Sequence, residues 1–180
     1  MKWQEMVLKA FQTQGEELAK AVQGLTVEEL NTQPLPDCNS IGWLAWHVIR
    51  SVDRNMSEIM GEEQLWIKDK WYAKFGRAAD PNETGVGHTF EQAKNFKSPA
   101  ADVIVAYHQA ILKKVENYIN YRLEEAELGR EYVSPTFKQP ALVGNRITGQ
   151  FFHGAHHIGQ ADYARGQLKG PGKGKGWFGR

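Results

Sequence analysis

Apolar residues recur along this chain at the three- and four-residue spacing of an α-helix, in four long segments. The second segment is the clearest, because its apolar stripe from Ile41 to Ile59 lies between an Asn39/Ser40 cap and Gly61. The other three segments cover about residues 3–23, 99–127 and 145–168. Alternating apolar and polar runs, which would predict β-strands, are missing. The pattern therefore predicts an all-α fold, a four-helix bundle.

One connection between the predicted helices, residues 61–98, is unusually long. We expect a short helix near residues 62–74, where aromatic residues cluster, followed by a polar stretch rich in helix breakers. A connection of this length inside a compact domain is typical of a functional segment, so we predict a long crossover loop that shapes the site. Residues 1–168 are predicted to form a single domain, and residues 169–180 a flexible Gly/Lys-rich tail.

Composition and charge argue against several classes of protein. The 180 residues include 22 Lys and Arg against 21 Asp and Glu, so the chain lacks the basic excess that nucleic acid or an anionic membrane attracts. No apolar run reaches the roughly 18 residues of a membrane span, and the first residues contain glutamates where a signal peptide is apolar. A single cysteine, Cys38, fits a reducing compartment. We expect a cytoplasmic protein with no nucleic-acid or membrane partner.

Three of the six histidines have positions from which they can meet. His153 and His157 are four residues apart, so they lie one above the other at the edge of the last helix's apolar stripe. Two imidazoles bind a divalent ion weakly, and His47, at the same edge of its own helix, is the natural third ligand. Three neutral imidazoles with an open fourth position are typical of a catalytic metal site. A histidine pair at this spacing also occurs by chance on surfaces, and that alternative stays open here.

The other histidines suit different roles. His108 is on the core side of the third long helix, and we expect a hydrogen-bonded core residue. His88, in the long loop, is expected to be solvated. His156 projects away from the other two histidines of its helix, beside Phe152 and Tyr163. These three side chains form a second surface that another subunit would cover in a homodimer.

Two phrases of the sequence resemble the DinB/YfiT-like superfamily of metalloenzymes. They are NSIGWLAWH, which ends at His47, and HGAHHIGQ, which begins at His153 about a hundred residues later. The resemblance covers about residues 3–168. It implies a bundle of up-down-down-up connectivity with a long crossover, frequently dimeric, that binds zinc, nickel or iron through His47, His153 and His157. Relatives of this kind include S-transferases that use mycothiol, bacillithiol or glutathione, and a thiol-dependent maleylpyruvate isomerase.

The first functional hypothesis is a metal-dependent thiol S-transferase. A divalent metal ion lowers the pKa of a thiol in its open position, so that thiolate is available at neutral pH to attack an electrophile. Arg50 and Arg54, one and two turns beyond His47, are candidates to bind carboxylates of the thiol, although each is also consistent with a solvated helix arginine. Ser51, Gln150 and Arg54 are candidate helpers beside the metal.

Two other classes of function remain open. A metal-bound hydroxide would make the protein a metal-dependent hydrolase, although the HExxH pattern is absent and no glutamate lies between His153 and His157. Alternatively, the ion would only stabilise the bundle, as in a non-catalytic metal-binding or stress-response module. A helical interaction protein with vestigial histidines would bind no metal. The imidazole ligands do not discriminate among zinc, nickel and iron.

Overall fold

The computed structural model describes residues 1–170, and four long helices dominate it. In chain order its helices are α1 (Trp3–Val22), α2 (Val27–Asn31), α3 (Ile41–Met60), α4 (Leu65–Lys68), α5 (Trp71–Lys74), α6 (Phe90–Lys94), α7 (Ala101–Tyr121) and α8 (Val143–Lys169). Helices α1, α3, α7 and α8 form the bundle, so the predicted all-α four-helix fold is confirmed. Within residues 1–170, no helix has both the length and the apolar character needed to cross a membrane.

Helix α3 is the central element, and local sequence sets both of its ends. Ser40 caps its start, since the Ser40 Oγ accepts a hydrogen bond from the Trp43 amide at 3.3 Å. Gly61 ends it with a left-handed φ of 67°. The sequence indicated one buried stripe, but every residue of α3 except Glu58 is buried. The 61–98 connection covers the face that the bundle leaves open.

Helices α1 and α8 run parallel and pack closely. Phe11 meets Phe151 edge to face with ring centroids 4.7 Å apart, and further along both helices Arg165 donates to the Ala21 carbonyl at 2.9 Å. The close approach depends on Gly154, because a Cβ there would lie 1.9 Å from the Gln14 amide nitrogen. Gln14 donates to the backbone of α8, which fixes this crossing.

Helices α3 and α7 are also parallel to each other. Tyr107 donates to Asp53 at 2.6 Å, and further along both helices Lys114 donates to Ser57 at 2.9 Å. Since α8 is antiparallel to α3, the four helices run up, down, down and up, as the resemblance implied. The chain must therefore return along the bundle between α3 and α7, about 30 Å for a 20-residue helix. That return explains the long crossover.

The crossover begins as two one-turn helices rather than the single short helix predicted for residues 62–74. Lys70, with a left-handed φ of 55°, separates α4 from α5. The Asp53 carboxylate fixes the first of these turns, because it accepts hydrogen bonds from the Leu65 amide at 3.0 Å and the Trp66 amide at 2.8 Å. A buried side chain of α3 thereby sets the path of the whole connection.

Two other sequence predictions were wrong in detail. A small antiparallel hairpin, β1 (Glu131–Val133) and β2 (Pro140–Leu142), lies between α7 and α8, where no strand was predicted. Three-residue strands are too short to show an alternating pattern. Helix α7 covers Ala101–Tyr121 rather than about residues 99–127, and a 3-10 turn follows at Glu125–Gly129. The single-domain boundary at residue 168 stays a prediction. Residues 171–180 of the predicted tail lie outside the described residues.

Candidate metal centre

Antiparallel packing of α3 against α8 brings His47, His153 and His157 together. The Nε2 atoms of His47 and His153 are 3.0 Å apart, and one ring nitrogen from each of the three residues lies within 4.8 Å of the others. The ring centroids are 4.6–4.8 Å apart. The structure therefore places at one point the three histidines that the sequence analysis singled out.

The crossover fixes the orientation of His47. The Nδ1 atom of this buried ring lies 2.5 Å from the Thr84 carbonyl oxygen. A carbonyl only accepts, so Nδ1 must carry the hydrogen, and Nε2 presents its lone pair towards His153. Burial lowers the pKa of His47 to about 4, against the opposing effect of the Thr84 hydrogen bond. The His47 ring is therefore uncharged at pH 7, and its Nε2 lone pair can bind a metal ion.

A second acceptor orients His157 in the same way. The Nδ1 atom of His157 lies 2.7 Å from the Gln160 side-chain oxygen, which leaves its Nε2 free. His153 differs, because within the described residues no acceptor lies against its buried Nδ1. Burial lowers the pKa of His153 to about 3, and the neighbouring His47 adds to that effect. His153 is therefore also neutral at pH 7.

These residues fit a divalent metal ion. Nitrogens held 2.0–2.1 Å from a tetrahedral ion are about 3.3 Å apart, close to the Nε2 separation between His47 and His153. Outer hydrogen bonds from Nδ1 to a carbonyl or amide oxygen are the usual way in which ligating imidazoles are oriented. His47, His153 and His157 would supply three neutral nitrogen ligands, the number that leaves a position open in catalytic sites.

Arg50 positions the crossover and has no hydrogen left for a ligand. Its side chain is fully buried. Its five N–H groups donate to Asp53, Tyr107, Gln64 and the carbonyls of Pro81 and Glu83. The last of these is adjacent to Thr84, the residue that orients His47. Arg50 was a predicted candidate for binding the carboxylates of a thiol. In the structure, each of its N–H groups already donates to an acceptor within the protein.

Gly85 permits the loop to lie directly on the candidate centre. Its φ is +88°, and a Cβ at this position would lie 2.7 Å from the Trp43 ring and 3.1 Å from Nδ1 of His47. Any other residue would have to adopt a strained backbone and push the loop outwards. The glycine thus allows the short contact between the Thr84 carbonyl and His47.

A cavity of about 220 Å³ borders His153, and the predicted helpers Ser51 and Gln150 line it. Ser51 donates to the Gln150 side-chain oxygen at 3.0 Å, and neither side chain forms a hydrogen bond with an imidazole. Arg54 is 4% exposed and donates to the Thr84 hydroxyl at 3.2 Å. It lies close enough that its charge lowers the pKa of both His47 and His153, after the larger effect of burial.

Five further residues line this cavity and were not predicted from the sequence: Asn55, Phe137, Asn145, Arg146 and Gly149. A signal for Arg146 was present, because residues 146, 150, 153 and 157 follow the three- and four-residue spacing of one helix edge. Phe137 comes from the α7–α8 connection, whose path no local pattern indicated.

The remaining histidines lie outside the cluster. His108 is buried against Gly15, as expected of a core residue, and burial lowers its pKa to about 4. The expectation that His88 is solvated was wrong. His88 accepts a hydrogen bond from the Trp43 indole at 3.2 Å and stacks on Trp46 with centroids 5.9 Å apart. It therefore supports the aromatic wall behind His47.

Comparison with known proteins places the chain in a family. A sequence model of the DinB superfamily matches residues 10–161. The chain belongs to the DinB superfamily. The resemblance found in the sequence is thus confirmed. No curated protein sequence matches the chain.

Several solved bacterial protein structures share the fold. A conserved protein from Enterococcus faecalis superposes with a TM-score of 0.81 at 24% identity, covering 93% of this chain and 98% of its own. A DinB-like protein from Bacillus cereus has a TM-score of 0.62 at 16% identity, covering 91% of both chains. YfiT from Bacillus subtilis, described as a probable metal-dependent hydrolase with an unusual four-helix bundle topology, has a TM-score of 0.62 at 14% identity, covering 93% of this chain and 90% of its own.

Proposed function

We propose that this DinB-superfamily protein is an enzyme that binds one divalent metal ion through His47, His153 and His157. The observation that carries the proposal is the convergence of their ring nitrogens within 4.8 Å. The Nδ1 hydrogens of His47 and His157 point to fixed acceptors, so both Nε2 lone pairs are directed inwards before any ion arrives. Zinc, nickel and iron all accept imidazole ligands.

The reaction that we propose is thiol S-transfer, with a low-molecular-weight thiol such as bacillithiol, mycothiol or glutathione. A divalent ion supplies a Lewis acid that lowers the pKa of a thiol in its open position. Arg54 and Arg146 add positive charge on one side of the site, which suits carboxylates such as those of glutathione. Ser51 donates its hydroxyl hydrogen to Gln150 and accepts a hydrogen bond from the Asn55 amide at 3.4 Å.

Hydrolysis is the second candidate, because YfiT, which shares the fold, is described as a probable metal-dependent hydrolase. No carboxylate lines the cavity beside His153. Glu58 accepts hydrogen bonds from Ser134 and Thr136, both at 2.5 Å, and so is not free to act as a base. This lining favours a thiolate nucleophile, which needs no protein base once formed, over a water activated by a carboxylate.

Parallel assays of the untagged protein separate these reactions. One measures conjugation of each thiol to 1-chloro-2,4-dinitrobenzene, and the other measures hydrolysis of p-nitrophenyl acetate without thiol. We expect thiol-dependent conjugation that His47→Ala abolishes and His156→Ala, in an exposed histidine of the same region, retains. Hydrolysis without thiol would overturn the transferase in favour of the hydrolase. Stoichiometric metal with neither activity would favour a non-catalytic module.

We further propose a cytoplasmic homodimer. Phe152 and Tyr163 are 70% and 66% exposed on α8, beside the exposed His156, and an apolar surface of this kind suits a subunit contact. The single cysteine supports a reducing compartment. Light scattering should give a dimer for the wild type and a monomer for Phe152→Asp with Tyr163→Asp. A wild-type monomer at micromolar concentration would refute the dimer.

A further inference from the structure

The cavity beside His153 contains a cation without an anionic partner. Arg146 lines it from α8, and within residues 1–170 its guanidinium forms neither an ion pair nor a hydrogen bond. Its Nε is buried and has no partner. Arg146 as a whole is only partly buried, but its Nε has lost the hydrogen bond that water would provide, which favours a ligand that accepts from it.

A second cation lies near the first, and both are close to the same aromatic ring. The guanidinium carbons of Arg146 and Arg54 lie 4.5 Å and 5.1 Å from the centroid of Phe137. Arg54 also has a buried Nε without a partner. Glu58 is the carboxylate that acts on Arg54, but its two oxygens accept from hydroxyl groups of the α7–α8 connection rather than from a guanidinium. Glu58 thus offsets part of the charge of Arg54, but within residues 1–170 neither guanidinium has a carboxylate as a hydrogen-bond partner.

The same cavity presents one unpaired acceptor. Asn55 is 2% exposed, and its amide nitrogen donates to the Ser51 carbonyl at 2.8 Å. This bond fixes the amide orientation, since a nitrogen must face the carbonyl. The Asn55 side-chain oxygen is then buried without a partner. A ligand that satisfies this site must bring a hydrogen-bond donor as well as a negative charge.

We propose that this cavity is a subsite for a small carboxylate that carries a hydroxyl or amino group on the adjacent carbon. The carboxylate binds Arg146, with Arg54 adding to the positive potential, and its hydroxyl or amino group donates to Asn55. The proposal rests on the proposed function, because it makes this carboxylate part of the thiol or electrophile that reacts at the neighbouring histidines.

The geometry favours a carboxylate over a phosphate. The planar guanidinium matches the two oxygens of a carboxylate with two parallel hydrogen bonds. The cavity has a volume of about 220 Å³ and one unpaired guanidinium in its lining, whereas a phosphate dianion needs donors on several sides.

Calorimetric titration of the full-length, metal-loaded protein tests the subsite. The probes are glycolate, glycolamide as its uncharged analogue, and inorganic phosphate. We expect glycolate to bind and glycolamide to bind at least tenfold more weakly. Arg146→Gln should weaken glycolate binding by roughly ten- to a hundredfold, the range for a charged hydrogen-bonding partner. Arg146→Lys should restore part of the affinity for glycolate that Arg146→Gln loses.

Arg130→Gln is the matched control, since Arg130 is an exposed arginine that pairs with Glu127. It should bind glycolate as the wild type does, and circular dichroism should show that all variants remain helical. Equal binding by Arg146→Gln and wild type, or phosphate binding more tightly than glycolate, would overturn the subsite.

Titration of metal-stripped protein separates this proposal from the proposed function. Glycolate binding that survives stripping and is lost in Arg146→Gln supports the subsite, even if the purified protein contains no metal and the proposed function fails. Binding that is lost on stripping and is indifferent to Arg146 indicates direct ligation of the metal. That result would overturn the subsite and leave the metal centre standing.

Discussion

The substitution Gly85→Ala should weaken metal binding without touching any proposed ligand. The added methyl group would lie 2.7 Å from the Trp43 ring, whereas ordinary contacts begin at 3.4 Å. The loop must therefore retreat by about 0.7 Å, the difference between these two distances. Because the Thr84 carbonyl is bonded directly to the Gly85 nitrogen, its 2.5 Å contact with His47 should lengthen beyond 3 Å.

The expected magnitude has two parts. Loss of an outer hydrogen bond to a ligating imidazole typically costs 10- to 100-fold in metal affinity, so we expect a change of about that size. The left-handed φ of +88° adds backbone strain of roughly 1–2 kcal/mol, which lowers the free energy of unfolding. The strain alone should not affect metal affinity, since it does not move the Thr84 carbonyl.

Gly87→Ala is the control that separates these two parts. Gly87 lies in the same loop with a φ of +76°, and a Cβ there would meet nothing within 4 Å. Both variants should lose similar stability in urea unfolding of the metal-free protein. In competition with a chromophoric chelator, only Gly85→Ala should lose affinity for zinc. Equal zinc affinity in the two variants would refute the role assigned to the Thr84 contact.

Two further predictions concern buried polar groups. Burial lowers the pKa of His108 to about 4, so the folded state binds its proton less readily than the unfolded state, whose pKa is near 6.5. The stability present above pH 6.5 is therefore lost as the pH falls, by about 2 kcal/mol between pH 7 and pH 5. Urea unfolding should show this loss reduced in His108→Gln but not in His156→Gln, and identical slopes would contradict it. Asp53→Ala should cost about 3–5 kcal/mol, because it leaves Arg50 buried without its carboxylate. A loss under 1 kcal/mol in the same assay would mean that this ion pair does not anchor the crossover.

Helical periodicity was sufficient to predict the fold, since α1, α3 and α8 begin and end within about two residues of the predicted bounds. Ser40 and Gly61 fixed the ends of α3 by local capping, which sequence records directly. The hairpin formed by β1 and β2 was missed because its pairing depends on the chain reversal between α7 and α8. Its strands are too short to leave a periodic pattern.

The candidate site was predictable where it depends on helix geometry and not where it depends on the crossover. His153 and His157 share a helix edge by spacing alone, and His47 followed from the matching edge of α3. The role of Arg50 was not predictable, because its partners are backbone carbonyls of a loop without regular structure. The same holds for the contact between the Thr84 carbonyl and His47, which depends on a left-handed Gly85.

Elemental analysis of untagged protein tests the metal centre most directly. The comparison is between wild type, His153→Ala and His156→Ala, the last in an exposed residue one position before His157. We predict about one zinc, nickel or iron ion per chain in the wild type and in His156→Ala, and none in His153→Ala. Metal-free wild-type protein that takes up none of these ions when they are offered, or equal metal content in all three proteins, would contradict the three-histidine centre.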